Sequence, residues 1–330
     1  MARGANQKFK FPYLMKIMQE KTDDQHGITM SQIMEELQKY DVTAERKSIY
    51  ADLTDMTEHF GIEILKEQHG KETYYHVGNR PFELAEVKLL IDAIQSSKFI
   101  TQKKSEDLIK KVKGLVSEYQ AKQLQRQVIM GDRVKSMNES VYYNVDDIHK
   151  AINENRQITF HYYRWNLEKE LEPTHGGALI TVSPWALTWS DENYYLIAYD
   201  ASAQKIKHYR VDKMKQITLT LEKREGRENF KSQDLAQYSK ATFGMFHGEP
   251  AIVHIQFADS MCGVFIDHFG RNIPIHRVGE GHSETRVHVY VSQQFYGWIF
   301  GLGPEVRVTG PDWVVANMHD YVTSLLENYQ

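Results

Sequence analysis

His208 and Arg210 sit in a segment, Lys205 to Val211, that interleaves Ile206, Tyr209 and Val211 with Lys207, His208 and Arg210. A strand sends successive side chains to opposite faces, so His208 and Arg210 share one face and Tyr209 and Val211 the other. A guanidinium held on a sheet face beside aromatic rings suits the grip of an anion or a base. The same pattern also fits a solvated arginine on an antiparallel sheet. A second chemistry-bearing set lies near the N-terminus, where Arg46, Lys47, Ser48 and Tyr50 point outward from the first turns of an expected helix. Two cations, a hydroxyl and a phenol suit phosphates and base edges. Glu45 either accepts from cytosine N4 or complements the helix dipole.

The elements that must hold these residues follow from periodicity. Residues 12–20 start a helix with Pro12 in its first turn and Leu14, Ile17 and Met18 on one face. Thr29-Met30-Ser31-Gln32 is a capping box opening a short helix with Ile33, Met34 and Leu37 inward. Thr43 caps a third helix that Gly61 ends, with Ile49, Leu53, Met56 and Phe60 as its buried stripe. Short strands at 62–66 and 73–77 flank a turn at His69-Gly70. Three helices and such a hairpin read as a winged helix-turn-helix over residues 1–80, with Thr43, Arg46, Lys47, Ser48, Tyr50, His69 and Lys71 as the DNA contacts.

Residues 81–150 read as a helical linker. Leu84, Val87, Leu90, Ile91 and Ile94 form one apolar stripe, and Leu108, Ile109, Val112, Leu115 and Val116 a second, among lysines. A partner subunit is the economical cover, giving a homodimer with two half-site readers; the alternative packs both stripes within one chain. Turn residues follow at Gly131-Asp132 and Ser136-Met137-Asn138, then a helix around 145–152. Over 151–235 the chain is β-rich: Ile158, Phe160 and Tyr162 share a strand face, and Leu179 to Ser183 and Tyr194 to Tyr199 are further strands. Leu235 to Tyr238 and Phe243 to Pro250 bridge to a last unit, 236–330. Its strands at 251–257, 286–291 and 305–309 and helices at 261–269, 295–302 and 311–329 suggest an α+β sandwich.

The central stretch resembles the WYL-domain transcriptional regulators. Their Pro-x-x-Leu step, Trp-Tyr-Leu signature and Arg-Leu-Asp-Arg-Ile-like strand correspond to Pro184–Leu187, Tyr194-Tyr195-Leu196 and Arg210-Val211-Asp212-Lys213-Met214. Tyr194 replaces the usual Trp, and Lys213 replaces the second arginine, keeping charge and losing the bidentate fork. Lys47-Ser48-Ile49-Tyr50-Ala51-Asp52-Leu53 is similar to the Arg-Thr-Ile-Tyr-Arg-Asp-Leu stretch of the same regulators, with Ala51 where an arginine is frequent. The resemblance implies a multidomain α+β protein: a winged helix-turn-helix, a helical linker, a small Sm-like β-barrel and a C-terminal extension domain. It implies a ligand-responsive regulator that binds double-stranded operator DNA. Its barrel would sense a nucleotide or single-stranded nucleic-acid-like anion through Tyr162, Tyr194, Arg210 and Lys213; His208 joins by shared strand face alone. The rival reading is a nucleic-acid-sensing interaction protein whose helix-turn-helix serves assembly instead of operator readout.

Composition bounds these readings. The 330 residues are 41% hydrophobic and 25% charged, as in an ordinary globular chain. Net charge is −4, and residues 1–80 carry eleven Lys or Arg against thirteen acids, a balance of −2. Any DNA contact must then come from local placement of cations such as Arg3, Arg46 and Lys47, not from bulk charge. Residues 96–136 are the basic stretch, with ten cations against four acids. The single cysteine, Cys262, makes no intrachain disulfide, and no apolar run reaches the ~20 residues of a membrane span. A reducing cytoplasm is the expected setting. An enzyme is not expected: His247, His254, His268, His276, His282 and His288 lack metal-ligand spacing, and Gly301-Leu302-Gly303 is only a fragment of a phosphate loop. No metal or cofactor is implied.

Overall fold

The computed structural model describes residues 6–124, 135, 140–230, 238, 241–246 and 248–330. Arg3, the turn residues at Gly131-Asp132 and Ser136-Met137-Asn138, the start of the bridge at Leu235, and His247 lie outside the described residues. The chain divides into two compact units, Met1–Met137 and Asn138–Gln330.

The first unit opens with α1 (Lys10–Lys21), β1 (Ile28–Thr29), α2 (Met30–Gln38) and α3 (Arg46–Phe60), then the hairpin β2 (Ile64–His69) and β3 (Glu72–Val77). The strands form an antiparallel sheet in the order β1-β3-β2. Leu14 and Ile17 of α1, Ile33 and Leu37 of α2, and Ile49 and Met56 of α3 meet in one core. The expected capping box is present. The Gln32 N–H donates to the Thr29 hydroxyl at 3.3 Å, and the Thr29 N–H to Gln32 Oε1 at 2.7 Å. At α3 the structure departs from expectation. Buried Val42 ties the preceding segment to the core, and the helix begins only at Arg46, with Glu45 as N-cap. Thr43 therefore caps nothing; its carbonyl accepts from the Gln7 side chain. Gly61 does end the helix, in the left-handed conformation at φ 65°. Phe60 is 57% exposed, because the last helical turn has passed beyond the core and its ring leans on Phe11 instead.

Three further helices follow, α4 (Leu84–Ser96), α5 (Gln102–Lys113) and α6 (Glu118–Gln123). Their stripes cover one another within the chain: Val87 and Ile91 pack with Val116 and Leu124, flanked by Ile109 and Val112. The packing thus follows the intrachain alternative, leaving Leu89 and Leu90 exposed. A polar junction fastens this layer to α1. Lys21 pairs with Glu118 at 2.7 Å, the Ser117 hydroxyl donates to the Asp23 carboxylate, and His26 stacks on Tyr119 at 4.0 Å.

The second unit begins with α7 (Val141–Asn153), followed by β4 (Arg156–Trp165), β5 (Leu171–Pro173), β6 (Ile180–Ser190), β7 (Asn193–Asp200), β8 (Lys205–Arg210) and β9 (Met214–Lys223). These strands make a curled antiparallel sheet, β5-β4-β6-β7-β8, with β9 also paired to β4. Helix α7 packs on β4, β6 and β9, so the sheet domain starts ahead of residue 151. The buried Asn144 amide donates to the carbonyls of Val211 at 3.3 Å and Met214 at 2.8 Å, fixing the turn between β8 and β9. The expected alternation holds: Ile158, Phe160, Tyr209 and Val211 are buried.

The C-terminal part runs β10 (Glu249–Ala258), α8 (Cys262–Phe269), β11 (Ile275–Gly279), β12 (His282–Val291), α9 (Gln293–Gly301), β13 (Val306–Gly310) and α10 (Asp312–Glu327). Its antiparallel sheet has the order β11-β12-β10-β13. Strand β11 was absent from the periodicity because it is short and exposed, with Ile275 its one apolar contribution to the core. Among the described residues no helix is long and apolar enough to cross a membrane.

Candidate functional site

Strands β7 and β8 and the turn after β8 place the Arg210 guanidinium. Its Nε donates to Asp212 Oδ1 at 3.1 Å and its Nη2 to Asp212 Oδ2 at 2.9 Å. Nη2 also donates to Asn193 Oδ1 at 3.1 Å. The Arg210 backbone N–H donates to the Tyr162 hydroxyl at 3.1 Å. Burial works against the Arg210 charge, and the Asp212 carboxylate more than restores it, so the group stays cationic. Among the described residues no hydrogen bond engages Nη1.

Arg210 borders a cavity of about 520 Å³ lined by Tyr162, Tyr195, Lys207, His208, Met245 and Phe246, among others. Tyr195 stands directly across the ladder from Arg210. Burial raises the Tyr162 and Tyr195 hydroxyls above the ordinary tyrosine range, keeping both protonated as donors at neutral pH. Lys207 is held by Asp200 at 2.6 Å. Both cations have carboxylate partners, so the cavity offers directed donors more than raw positive charge.

The sequence-based site divides here. Tyr162, His208 and Arg210 line the cavity; Tyr194 and Lys213 do not. Tyr194 faces away from Tyr195 and meets Trp189 edge-on at 4.7 Å. Lys213 lies over the Trp165 ring at 4.4 Å, and burial lowers its pKa below the ordinary lysine value despite Asp212. His208 has another task. Its Nδ1–H donates to the Met245 carbonyl at 2.6 Å, and Nε2 accepts from the Tyr238 hydroxyl at 2.9 Å. It clamps the Phe243–Phe246 segment over the cavity, with Gly244 and Met245 both at positive φ. Tyr195, Asp212 and Asn193 were missed. Strict alternation from Arg210 across the hairpin would have found Tyr195, and the acid two positions after Arg210 was visible; nothing in the sequence marks the strap.

In the first unit Arg46, Lys47, Ser48 and Tyr50 are exposed on the first turns of α3, as expected, and Thr43, His69 and Lys71 are exposed too. Ser48 is engaged by the Lys10 ammonium, which also pairs with Asp52 at 2.7 Å. Tyr50 takes a long bond from the Tyr75 hydroxyl at 3.5 Å. His69 sits 3.3 Å from Glu67 at the hairpin tip. Among the described residues Arg46 and Lys47 have no acidic partner. No cluster of three or more His, Cys, Asp or Glu side chains converges as metal ligands among the described residues.

Residues 143–219 match the family model of the WYL domain, and residues 249–326 that of the WCX domain. No curated protein matches the chain by sequence. Among solved structures the chain is similar to proteasome accessory factor B/C (PafBC) of Arthrobacter aurescens, at 16% identity and TM-score 0.28, covering 100% of this chain and 50% of that one. It is also similar to a CRISPR Cas-related protein, at 11% identity and TM-score 0.35, covering 100% of this chain and 87% of that one. The chain thus spans half the length of the first, and neither likeness is close enough to carry an argument. On the two domain matches, the chain carries a WYL domain followed by a WCX domain.

Proposed function

We propose that this chain is a ligand-responsive, DNA-binding transcriptional regulator. The carrying observation is the exposed pair Arg46 and Lys47 at the start of α3, unpaired by acids among the described residues and beside an antiparallel hairpin. On this reading residues 6–77 are a winged helix-turn-helix, α3 enters the major groove by its N-terminal turns, and Lys71 reaches the backbone from the wing. The WYL sheet is the sensor. An anionic, nucleotide-like effector enters the Arg210 cavity, takes Nη1 as donor and lays a flat ring against Tyr195. The protein acts as a homodimer, with exposed Leu89 and Leu90 of α4 at the contact.

Fluorescence anisotropy with duplex DNA from the chain's own upstream region and a scrambled duplex tests the reading. Preference for the upstream duplex that survives added salt is expected. Arg46→Ala with Lys47→Ala should weaken it at least tenfold, since one base-contacting arginine alone is worth about 1–3 kcal/mol. Equal, salt-labile binding of both duplexes would overturn operator readout.

A further inference from the structure

A second cavity, of about 1040 Å³, lies within the first unit and shares no residue with the Arg210 cavity. Its apolar wall comes from three places. Phe11 and Met15 belong to α1, Phe60 and Ile62 to the end of α3 and the entry to β2, and Leu115 to the turn after α5. Phe11, Met15 and Ile62 rest on the core of the unit. Phe60 and Leu115 are exposed, and the Phe60 ring tilts on that of Phe11 at 4.9 Å. Apolar surface is thus left in a concavity, where a narrow apolar ligand would remove it from water.

Arg80 lines the same cavity, three residues past the end of β3. Its Nη2 donates to the Gln19 carbonyl at 2.7 Å and to that of Thr22, which are open groups at the C-terminal end of α1. These bonds fix the guanidinium. Its Nε is buried without a partner. Among the described residues no hydrogen bond engages Nη1, and no carboxylate lies within ion-pair distance of Arg80. Burial lowers its pKa, although Asp23 and Asp24, both outside the lining, favour the charge. The other charged groups of the lining are Lys16 and Glu20, 4.0 Å apart, and Lys16 also lies over the Tyr40 ring at 5.7 Å. Two cations therefore stand against one acid in the wall, and Arg80 is the cation without an acidic partner.

We propose that this cavity binds a single-chain amphiphilic carboxylate, of the fatty-acid class. The hydrocarbon lies along Phe11, Met15, Phe60 and Leu115, and the carboxylate accepts from Arg80 Nη1. A monoanion matches the one uncommitted guanidinium edge. A dianionic head such as a phosphate would set its second charge against Glu20. The occupant touches α1, the end of α3 and the end of α5 at once, and the inference does not rest on the regulator reading.

The test is isothermal titration calorimetry of the full chain with decanoate, below its micellar concentration and at neutral pH. The wild type should bind it. Decanol, which keeps the chain and lacks the charge, and acetate, which keeps only the head, should each bind about tenfold more weakly or worse. Decyl phosphate should also bind more weakly than decanoate. Arg80→Gln should weaken decanoate about tenfold, the scale of one hydrogen bond to a charged group, and leave decanol unchanged. Phe60→Ala with Leu115→Ala should weaken both ten-carbon ligands. Each loss should persist when Arg210→Ala is already present, which removes the cation of the other cavity. Phe60 and Leu115 are exposed, and matching thermal melts confirm intact variants. Should Arg80→Gln fail to fold, Leu115→Glu, which adds an anion to the wall, should reject decanoate more strongly than decanol. Four outcomes overturn the proposal: no binding by the wild type, equal affinity for decanoate and decanol, equal loss of both ligands in Arg80→Gln, or unaltered decanoate affinity in Phe60→Ala with Leu115→Ala. The third would leave Arg80 only its part at the end of α1.

Discussion

Replacing His208 by alanine separates two roles for a residue that lines the cavity. Its Nδ1–H meets the Met245 carbonyl at 2.6 Å, and its Nε2 meets the Tyr238 hydroxyl at 2.9 Å. Each such bond contributes about 1 kcal/mol net, and a buried hydroxyl left without its acceptor costs a further ~1–3 kcal/mol. The expected loss is therefore about 3–5 kcal/mol, about 1 kcal/mol of it from releasing the strap at Met245 and the rest from the Tyr238 hydroxyl left without its acceptor. Urea unfolding of the second unit, followed by tryptophan fluorescence, should show a lower midpoint with an unchanged slope. Nucleotide affinity should fall only as far as the open strap enlarges the cavity. A loss below ~0.5 kcal/mol with a large loss of ligand affinity would refute the clamp and return His208 to ligand contact.

Three further outcomes are expected. Burial pushes the Asp200 carboxyl up, but bonds from Lys207, Ser202 and the Ala203 N–H outweigh it and hold the group at about 2. A depressed carboxylate stabilises the fold above its unfolded pKa of about 4, and that contribution disappears as pH falls toward 2. Asp200→Asn should then cost about 2 kcal/mol in urea melts at pH 7 and progressively less below pH 4; an equal cost at pH 7 and pH 3 would refute the linkage. Gly226 has φ +80°, and a Cβ there would lie 2.2 Å from the Tyr199 ring. Gly226→Ala should destabilise the WYL domain by more than ~2 kcal/mol, read as a lower melting temperature. Thr29→Ala removes half of the capping box of α2 and should cost the first unit about 1 kcal/mol in a chemical melt.

The helices were largely legible because their periods, caps and stops are local. The Thr29–Gln32 capping box and the Gly61 stop appear where the residues demand them. Thr43 misled, since a good capping residue is overruled when its neighbour Val42 is anchored in the core. The α4 and α5 stripes were visible, but not which surface would cover them, because that depends on tertiary packing. At the cavity, Arg210 and Tyr162 were found through motif and alternation. Tyr194 and Tyr195 are adjacent and chemically alike, and only the strand's facing decides between them. The strap could not be read at all: its contact with His208 joins residues 37 positions apart through a backbone carbonyl, which no side-chain pattern encodes.

That strap carries two loads at once. Phe243 is embedded in the WCX core beside Phe295 and Trp298, while Met245 and Phe246 wall the WYL cavity. Volume in the cavity and packing in the distant core are thus not independent quantities. Any occupant that displaces Met245 does mechanical work on Phe243, and any tightening around Phe243 changes the room available to the occupant. By thermodynamic reciprocity the two effects have equal size. On the proposed sensor reading, the strap joins the cavity to the WCX core, and mutations of that core around Phe243 should read out as changes in ligand selectivity.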